Sequence, residues 1–323
     1  MRAASEKMRQ VAAEALAEQQ VTAVLGWRKK DFWWQSPVAF VETAAAAEQL
    51  TFDPFSVYNP VKYLLEEDSA RAKIGVFVKG CDSRAVNRLL QDKRLERERV
   101  LLFGLPCSGK ADPAKIRAAF PAKKIQEVVF EGEELVVLLT DGEERAPASD
   151  FLLEKCLTCR HPNPVVYDQL LWEQVPVRAG VDERRFARVK KVGQKEPEER
   201  YAYWANQLGR CIRCFACRNV CPACNCRSCV FDQAEPRWLG KANDMADTLN
   251  YHIIRAFHVA GRCFECGECE RICPSGIPLQ EINRRLIMDI DKYFGPYEAG
   301  LDPGDSPPLG TYRGEDPAGF DES

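Results

Sequence analysis

The stretch that decides the fold is RCIRCFACRNVCPACNCRSCVFD, residues 210–232, in which seven cysteines fall within nineteen residues. Its first four cysteines follow the spacing C-x2-C-x2-C-x3-C and end in a proline. The same spacing and the same Cys-Pro pair recur in RCFECGECERICP, residues 262–274. Such runs are typical of loops that hold [4Fe–4S] clusters, with three thiolates around one cluster and the fourth reaching a neighbouring one.

The repeated run predicts two clusters that exchange their fourth ligands. Because the last cysteine of each run points away from its own loop, each cluster should take three ligands from one run and one from the other. The first set is Cys211, Cys214, Cys217 and Cys273, and the second is Cys221, Cys263, Cys266 and Cys269. The alternative is a pair of zinc sites, although four-cysteine zinc sites usually separate two C-x2-C pairs by a long gap.

A strand–helix–strand pattern precedes these runs. KIGVFVKG (73–80) is typical of a buried strand, DSRAVNRLLQDKRL (82–95) of a helix, and RVLLFGLP (99–106) of a second strand. A crossover of this length predicts parallel pairing. Cys81 and Cys107 follow the two strands directly, so we expect them at the carboxyl edge of the sheet, where open α/β sheets build their sites.

Two more cysteines, Cys156 and Cys159, lie in the loop CLTCRHPNP (156–164). Together with Cys81 and Cys107 they supply the four thiolates that a cubane needs, so we expect a third [4Fe–4S] cluster here. The alternative is that the two cysteines after the strands are small buried apolar residues and the C-x2-C pair binds something else.

Three charged or polar residues accompany this expected third site. Lys79 and Lys110 should lie near the cluster, where positive charge raises its potential, and His161 is placed to donate a hydrogen bond to it. His252 and His258, in the helix before the second cysteine run, are expected to pack beside the clusters rather than bind iron.

The opening stretch also contains three cysteines that fit none of these sets, Cys224, Cys226 and Cys229. They are candidates for an additional metal site completed by an outside ligand. They are also candidates to replace a ligand of the N-terminal site, or to be free thiols packed under the clusters. Spacing alone does not rank these alternatives.

Composition excludes several functional classes. The formal net charge of −3 gives no global attraction to nucleic acid. The N-terminus lacks the apolar segment of a signal peptide, and no apolar run reaches the roughly 18–20 residues that span a bilayer. We therefore expect a cytoplasmic protein, in which dense cysteine serves metal or redox chemistry rather than disulfides.

The sequence predicts an α/β N-terminal domain with a small parallel sheet (1–175), which would carry the third cluster. A charged connecting segment follows (176–200), and its basic residues either dock an acidic partner or form a solvated face. An α-helical dicluster ferredoxin domain covers 201–294. The last part, 295–323, is rich in Pro, Gly and acidic residues and should be an extended or disordered tail that contacts a partner.

Within the first domain, apolar patterning predicts a helix over 2–18 and strands over 21–27 and 36–43. A helix is expected over 60–73 because Pro60 suits its first turn. Alternating residues around Gly132 predict a β-hairpin over 127–144.

Several segments resemble a known family. GVFVKGCDSRAVNRLL, VLLFGLPCSG and EKCLTCRHPNP are similar to the beta subunits of F420-reducing hydrogenase and formate dehydrogenase. The two cysteine runs resemble the dicluster iron–sulfur proteins of heterodisulfide-reductase-type, electron-bifurcating assemblies. The resemblance implies partners such as a flavoprotein, or heterodisulfide-reductase-like, hydrogenase or formate dehydrogenase subunits. It also implies FAD, for which the sequence holds no fingerprint.

These patterns predict an electron-transfer subunit of a multi-subunit oxidoreductase that performs no substrate chemistry on its own. No set of residues typical of acid–base or nucleophilic catalysis stands out, so no catalytic residue is assigned. One alternative is a flavin-containing dehydrogenase subunit that itself reduces a deazaflavin or nicotinamide. A second is a structural scaffold built around zinc.

Overall fold

The structure is a computed structural model that describes residues 2–65, 73–121, 123–240 and 243–310. The chain divides into two compact units. Unit 1 comprises Met1–Ser83 and Leu95–Val181, and unit 2 comprises Arg84–Arg94 and Asp182–Ser323. No pattern in the sequence predicts that residues 84–94, in the middle of the strand–helix–strand crossover, group with unit 2.

Unit 1 is built on a five-stranded sheet of order β2-β1-β3-β4-β8. Only the β1–β2 pair is antiparallel, so the predicted parallel sheet is confirmed. The strands are β1 (Ala23–Trp27), β2 (Val38–Val41), β3 (Ile74–Val78), β4 (Val100–Gly104) and β8 (Gln169–Leu170). Every residue of β1 and β3 is buried, which is why these strands read as continuous apolar runs rather than as alternating ones.

A second, antiparallel sheet in unit 1 has the order β5-β6-β7. Its strands are β5 (Ile125–Glu131), β6 (Glu134–Leu139) and β7 (Gly142–Pro147). The predicted hairpin is therefore present, and Gly132 takes the left-handed φ of 61° that its turn requires. The third strand was not predicted, because β7 is polar along most of its length and is exposed or half-buried throughout.

The remaining helical elements of unit 1 are short, apart from α1. The α-helices are α1 (Arg2–Ala17), α3 (Pro113–Ala119) and α4 (Glu154–Leu157), and the 3-10 helices are Ala45–Gln49, Pro60–Leu65, Arg97–Arg99 and Ala148–Phe151. Helix α2 (Gly80–Gln91) begins in unit 1 after β3, and its residues from Arg84 onward belong to unit 2. The helix predicted over 60–73 is wrong in its described part, which is a 3-10 helix over Pro60–Leu65. Residues 66–72 lie outside the described residues.

Unit 2 is helical around its cysteine loops. Its helices are α5 (Val181–Arg185), α6 (Ala187–Gly193), α7 (Pro197–Leu208), α8 (Ala216–Asn219), α9 (Met245–His258), α10 (Glu268–Arg271) and α11 (Leu279–Tyr293), with a 3-10 helix at Val230–Asp232. Asp244 begins α9 as its cap, because its carboxylate accepts a hydrogen bond of 2.8 Å from the backbone N–H of Asp247. None of the helices within the described ranges is both long and apolar enough to cross a membrane.

The beginning of the C-terminal segment is anchored within unit 2. The Arg84 guanidinium donates two hydrogen bonds to the carbonyl of Ala299, and the Asn87 amide donates to the carbonyls of Gly300 and Leu301. Gly300 has a φ of 78°, and a Cβ there would lie 2.5 Å from the carbonyl oxygen of Arg84, so only glycine fits. The expected extended tail therefore begins as a fixed loop, and its residues 311–323 lie outside the described part.

Candidate metal centres

The first candidate centre is a cavity in unit 2 with about 320 Å³ of empty space. Its walls include the sulfur-bearing residues Cys211, Cys214, Cys217 and Cys273. The first three come from one cysteine run, and Cys273 is the last cysteine of the other run. The structure thus brings together the four thiols that an exchanged fourth ligand requires, although they are far apart along the chain.

The two cysteine loops share an unusual backbone. Arg213 (φ 48°) and Phe215 (φ 59°) are left-handed in the first loop, and Glu265 (φ 59°) and Gly267 (φ 68°) are left-handed at the matching positions of the second. For a residue other than glycine such a conformation costs on the order of 1–3 kcal/mol and persists where function requires it. Backbone N–H groups arranged in this way form concave anion sites, of which iron–sulfur loops are an example.

Three polar groups lie against the sulfur atoms of the first centre. The backbone N–H of Arg213 donates to Cys211 Sγ at 3.3 Å, and His252 Nε2 lies 3.3 Å from the same sulfur. The Tyr251 hydroxyl lies 3.4 Å from Cys217 Sγ. Burial, with a contribution from Arg255, lowers the pKa of His252 to about 4, so its imidazole is neutral at physiological pH and can donate to sulfur through Nε2–H.

The second candidate centre groups Cys221 of the first run with cysteines of the second. Burial, together with the nearby Cys221, raises the pKa of Cys263 to about 11. Burial also raises the pKa of Cys269 to about 12, with Cys221 and Cys263 among its electrostatic neighbours. Thiols of this kind need a metal to be held as thiolates at neutral pH. Cys266 follows in the same loop, between the left-handed residues Glu265 and Gly267.

Each loop is fixed by an ion pair at its first left-handed residue. Glu265 receives the buried guanidinium of Arg185 at 2.5 Å and that of Arg284 at 2.9 Å. Burial alone would raise the Glu265 pKa, but the hydrogen bonds from Arg185 and the positive charges of Arg185 and Arg284 together outweigh it and hold the pKa below its usual value. In the other loop, Arg213 pairs with Asp247 at 3.4 Å.

In the charged connecting segment predicted over 176–200, two of the basic residues form ion pairs within unit 2, so the segment is only partly free to dock a partner. Arg185 is 6% exposed and is committed to Glu265. Arg188 pairs with Glu270 at 3.2 Å and with Glu281 at 2.6 Å. The prediction of either a docking patch or a solvated face is wrong for Arg185, which is buried against a cysteine loop of unit 2. The Arg188 side chain is 42% exposed, so both alternatives stay open for it. The same predicted basic segment also contains Arg184, Lys190 and Lys191, and for these residues both alternatives, a docking patch or a solvated face, stay open.

The three leftover cysteines occupy different surroundings. The Cys224 thiol hydrogen-bonds to Cys221 and thereby lowers the Cys221 pKa to about 6. Cys229 accepts a hydrogen bond from Arg218, and Cys226 is exposed. Cys224 thus lies beside the second centre, in contact with its candidate ligand Cys221. None of the 15 cysteines, all of which lie in the described ranges, forms a disulfide bond.

The third candidate centre lies in unit 1 at the carboxyl edge of the parallel sheet. Cys81 is the second residue of α2, directly after β3, and Cys159 is among its electrostatic neighbours. Cys107 follows β4 and is an electrostatic neighbour of Cys156. A backbone hydrogen bond of 2.9 Å from Cys107 to the carbonyl of Pro162 joins the loops. The structure therefore draws the four N-terminal cysteines from three loops to one edge.

Two glycines allow these loops to approach each other. A Cβ at Gly80 would lie 1.9 Å from the carbonyl oxygen of His161, so only glycine can stand beside that loop. Gly109 has a φ of 123°, and a Cβ there would lie 2.9 Å from the Leu152 side chain and 3.6 Å from Cys156 Cβ. The positions of these glycines are set by loop packing rather than by turn formation.

Buried positive charge surrounds the third centre. Lys79 is 2% exposed, pairs with Asp82 at 2.7 Å and lies over the Trp27 ring. Lys110 is 1% exposed and donates to the carbonyl of Asp53 at 2.7 Å. Burial lowers the Lys110 pKa to about 8, against the opposing effect of Cys107. A thiolate-bound anionic cluster beside these ammonium groups would compensate their burial.

The donor sets fit iron–sulfur clusters better than single metal ions. No group of three or more His, Cys, Asp or Glu side chains in the described ranges is placed to hold one metal ion. A cubane instead distributes four thiolates over four corners of a cluster, around a volume rather than a point. The cavity lined by four cysteines, the left-handed loops and the donors to sulfur together match that requirement.

Comparison with known proteins supports this assignment for unit 2. The 4Fe-4S dicluster domain family matches residues 207–277, which include both cysteine runs. The chain is 26% identical over 303 residues to the F420-dependent formate dehydrogenase subunit beta of Methanocaldococcus jannaschii, covering 77% of each chain. It is 24% identical to the F420-dependent formate dehydrogenase 1 subunit beta of Methanococcus maripaludis, covering 76% of this chain and 78% of the relative.

Among solved structures, a chain of the F420-reducing [NiFe] hydrogenase complex from Methanosarcina barkeri matches with a TM-score of 0.39 and 15% identity. The match covers 47% of this chain and 57% of that one.

Proposed function

We propose, from the premise that this is a protein similar to F420-dependent formate dehydrogenase beta subunits with a 4Fe-4S dicluster domain, that the chain relays single electrons within a multi-subunit oxidoreductase. When bound, [4Fe–4S] clusters exchange one electron each without forming or breaking substrate bonds. The residues of this chain hold the clusters, set their surroundings and exclude water. The chain would perform no substrate chemistry alone.

The observation that carries the proposal is the cavity of the first centre. It gathers Cys211, Cys214 and Cys217 with Cys273 of the other run, as two adjacent clusters with exchanged ligands require. Exchange places the two clusters side by side, because each loop supplies ligands to both. Adjacent clusters form a path for electrons, and their potentials are set by hydrogen bonds to sulfur, charge and burial.

A third cluster in unit 1 extends the proposed path. Its ligands would be Cys81, Cys107, Cys156 and Cys159, which converge from three loops. The buried ammonium group of Lys110 supports the presence of an anionic group there, since its hydrogen bond goes to the neutral carbonyl of Asp53, whereas Lys79 is already paired with Asp82.

The partners we propose follow from the relatives. Those proteins are named as beta subunits of F420-dependent formate dehydrogenases, and such a subunit works with others. We infer a donor or acceptor subunit that carries a flavin, or a hydrogenase-, formate dehydrogenase- or heterodisulfide-reductase-like subunit. The likeness to electron-bifurcating assemblies rests on the cysteine runs alone.

A coulometric titration of the anaerobically purified chain tests the relay. We expect the protein to take up about three electrons per chain, one for each cluster. The uptake should be accompanied by bleaching of the broad visible absorbance of the clusters and by no flavin band. A zinc scaffold would take up no electrons, and that result would overturn the proposal.

A second candidate function is favoured by the names of the relatives, which are F420-dependent. In this case the chain itself binds a flavin and reduces a deazaflavin carrier. The same titration separates the two candidates, because a bound flavin adds two electrons and its own absorbance band. Reduction of F420 by the isolated chain, with no partner present, would favour the second candidate.

A further inference from the structure

Helix α9 contributes one buried cation to the dicluster region. Arg255 is 3% exposed and stands one turn after Tyr251, whose hydroxyl lies 3.4 Å from Cys217 Sγ. Positions four residues apart share a face of a helix, so Arg255 extends the face that contacts the first centre. Its neighbour His252, on the adjoining part of that face, reaches Cys211.

The guanidinium of Arg255 forms a hydrogen bond with the Cys224 sulfur, and cysteines rather than carboxylates exert the strongest electrostatic effects on it. Its electrostatic neighbours are Cys269, Cys217, Cys224 and Cys221. Cys217 belongs to the first proposed ligand set, whereas Cys221 and Cys269 belong to the second. No ion pair joins Arg255 to a carboxylate anywhere in the ranges that the structure describes. The side chain therefore lies between two cysteine sets.

Two of the donors of Arg255 have no acceptor among the residues that the structure describes. Both Nε and Nη1 are buried and make no hydrogen bond within the described residues. A buried guanidinium without an anionic partner is strongly unfavourable, and buried polar groups are almost always paired. An anionic group with acceptor atoms must therefore be expected next to these two nitrogens, and clusters with bridging sulfides are such groups.

We propose that Arg255 is a redox-tuning residue shared by both clusters of the dicluster region, to which its unpaired Nε–H and Nη1–H donate hydrogen bonds. The inference rests on the proposed function, because it concerns clusters that the function requires. A fixed positive charge between two clusters stabilises the electron added to either one. Hydrogen bonds to sulfur act in the same direction. Arg255 thus raises both potentials together and reduces the repulsion between two reduced clusters.

The test compares Arg255→Met and Arg255→Lys in the full-length, anaerobically purified chain. Methionine keeps much of the length and removes the charge, whereas lysine keeps the charge and loses the planar fork of donors. Each variant is first analysed for iron and sulfide, and then titrated with dithionite while paramagnetic resonance follows both cluster signals. Arg210→Met is the matched control, because Arg210 adjoins Cys211 but is exposed, where water screens its charge.

We expect Arg255→Met to lower the reduced-to-oxidised ratio of both clusters about tenfold at a fixed potential, which equals a shift of 59 mV for a one-electron couple. Arg255→Lys should shift both in the same direction by less, and Arg210→Met should shift neither. A change in one cluster alone, or in neither, would overturn the shared role.

If Arg255→Met loses its iron, the test rests on Arg255→Lys. Cluster potentials equal to those of the wild type in Arg255→Lys would overturn the proposal that the Arg255 guanidinium donates hydrogen bonds to the clusters. Failure of the proposed function is a separate outcome, since the wild-type chain would then show no cluster signals to titrate.

Discussion

At the residue scale, Gly80 shows how one missing side chain permits a site. A Cβ there would lie 1.9 Å from the carbonyl oxygen of His161, between the start of α2 and the loop that carries Cys159. Backbone atoms on both sides leave no flexible group to give way. The contact links the strand-edge cysteine Cys81 to the C-x2-C loop.

Substituting Gly80 by Ala should push these two segments apart and disrupt the third centre. We expect the variant to lose about four iron atoms per chain and to be destabilised by about 1–3 kcal/mol, as overpacking usually does. Gly193→Ala is the control, because the nearest atom to a Cβ there is the end of the Arg285 side chain at 3.8 Å. Iron analysis and thermal melting measure both effects; full iron content in Gly80→Ala would contradict this placement of the third cluster.

Cys221→Ser tests the exchange of ligands between the two cysteine runs. We expect the variant to lose the cluster held by Cys263, Cys266 and Cys269, because Cys221 is an electrostatic neighbour of Cys263 and Cys269 and Cys266 lies in the same loop. Paramagnetic resonance of the reduced protein would show one of the two dicluster signals missing, and it should be the signal that Cys263→Ser also removes. Loss of the signal that Cys214→Ser removes would rule out exchange. Cys226→Ser is the control, since Cys226 is exposed.

At the element scale, the end of α2 is held to the dicluster region by one carboxylate. Asp92 accepts hydrogen bonds from Arg88 at 2.5 Å, from Arg262 at 2.6 Å and from Asn225 at 2.7 Å. Burial would raise the Asp92 pKa, but the bonds from Arg262 and Asn225 outweigh it and hold the pKa below its usual value. Arg262 directly precedes Cys263, so this contact positions the second cysteine loop.

Asp92→Asn should destabilise the protein by about 1–3 kcal/mol at pH 7. A carboxylate whose pKa is lower in the folded state stabilises that state above its unfolded pKa, and this stability is lost as the pH falls through the folded value. The difference in melting temperature between wild type and variant should therefore be constant above about pH 5 and shrink below about pH 4. A difference that grows on acidification would contradict the assignment.

Asp289→Asn is the matched control for the Asp92 variant. Asp289 pairs with Arg285 one turn away on α11, and the Arg285 side chain is exposed while that of Asp289 is half-buried. Helix-surface pairs of this kind contribute about 0.3–0.5 kcal/mol. The control should therefore melt within about 2 °C of the wild type at every pH.

The elements that the sequence predicted well are those with a period or a spacing of their own. The β3–α2–β4 crossover follows from two apolar runs around a helical pattern, and the cysteine runs follow from their repeated spacing. The 3-10 helix at Pro60–Leu65 was missed because a favourable proline start says nothing about the following turns. The strand β7 was missed because an exposed polar strand carries no apolar alternation.

The parts of the candidate sites that the sequence did not predict are side chains whose partners are far away along the chain. Arg255 reads as an ordinary charged position on an amphipathic helix, and only the fold shows it buried among four cysteines. The same is true of Arg185, which reads as part of a basic surface and is buried against Glu265. One feature of the sequence indicates that Arg255 is buried: it stands four residues after Tyr251, on the apolar face of the helix.

At the scale of the whole molecule, the central claim is that the chain carries three [4Fe–4S] clusters and serves as an electron relay. Each unit supplies its own cysteine sets, two in unit 2 and one in unit 1. The proposed ligand sets would take eight of the 15 cysteines in the dicluster domain and four more in the N-terminal set, and would leave Cys224, Cys226 and Cys229 outside every cluster.

The most direct test is the iron, acid-labile sulfide and zinc content of the anaerobically purified full-length chain. Three cubane clusters predict about twelve iron atoms and about twelve sulfides per chain, with no stoichiometric zinc. About eight iron atoms and eight sulfides per chain would agree with the two clusters of the dicluster domain and contradict the third cluster. A chain that contains zinc in place of iron and holds no sulfide would contradict the electron-relay account as a whole.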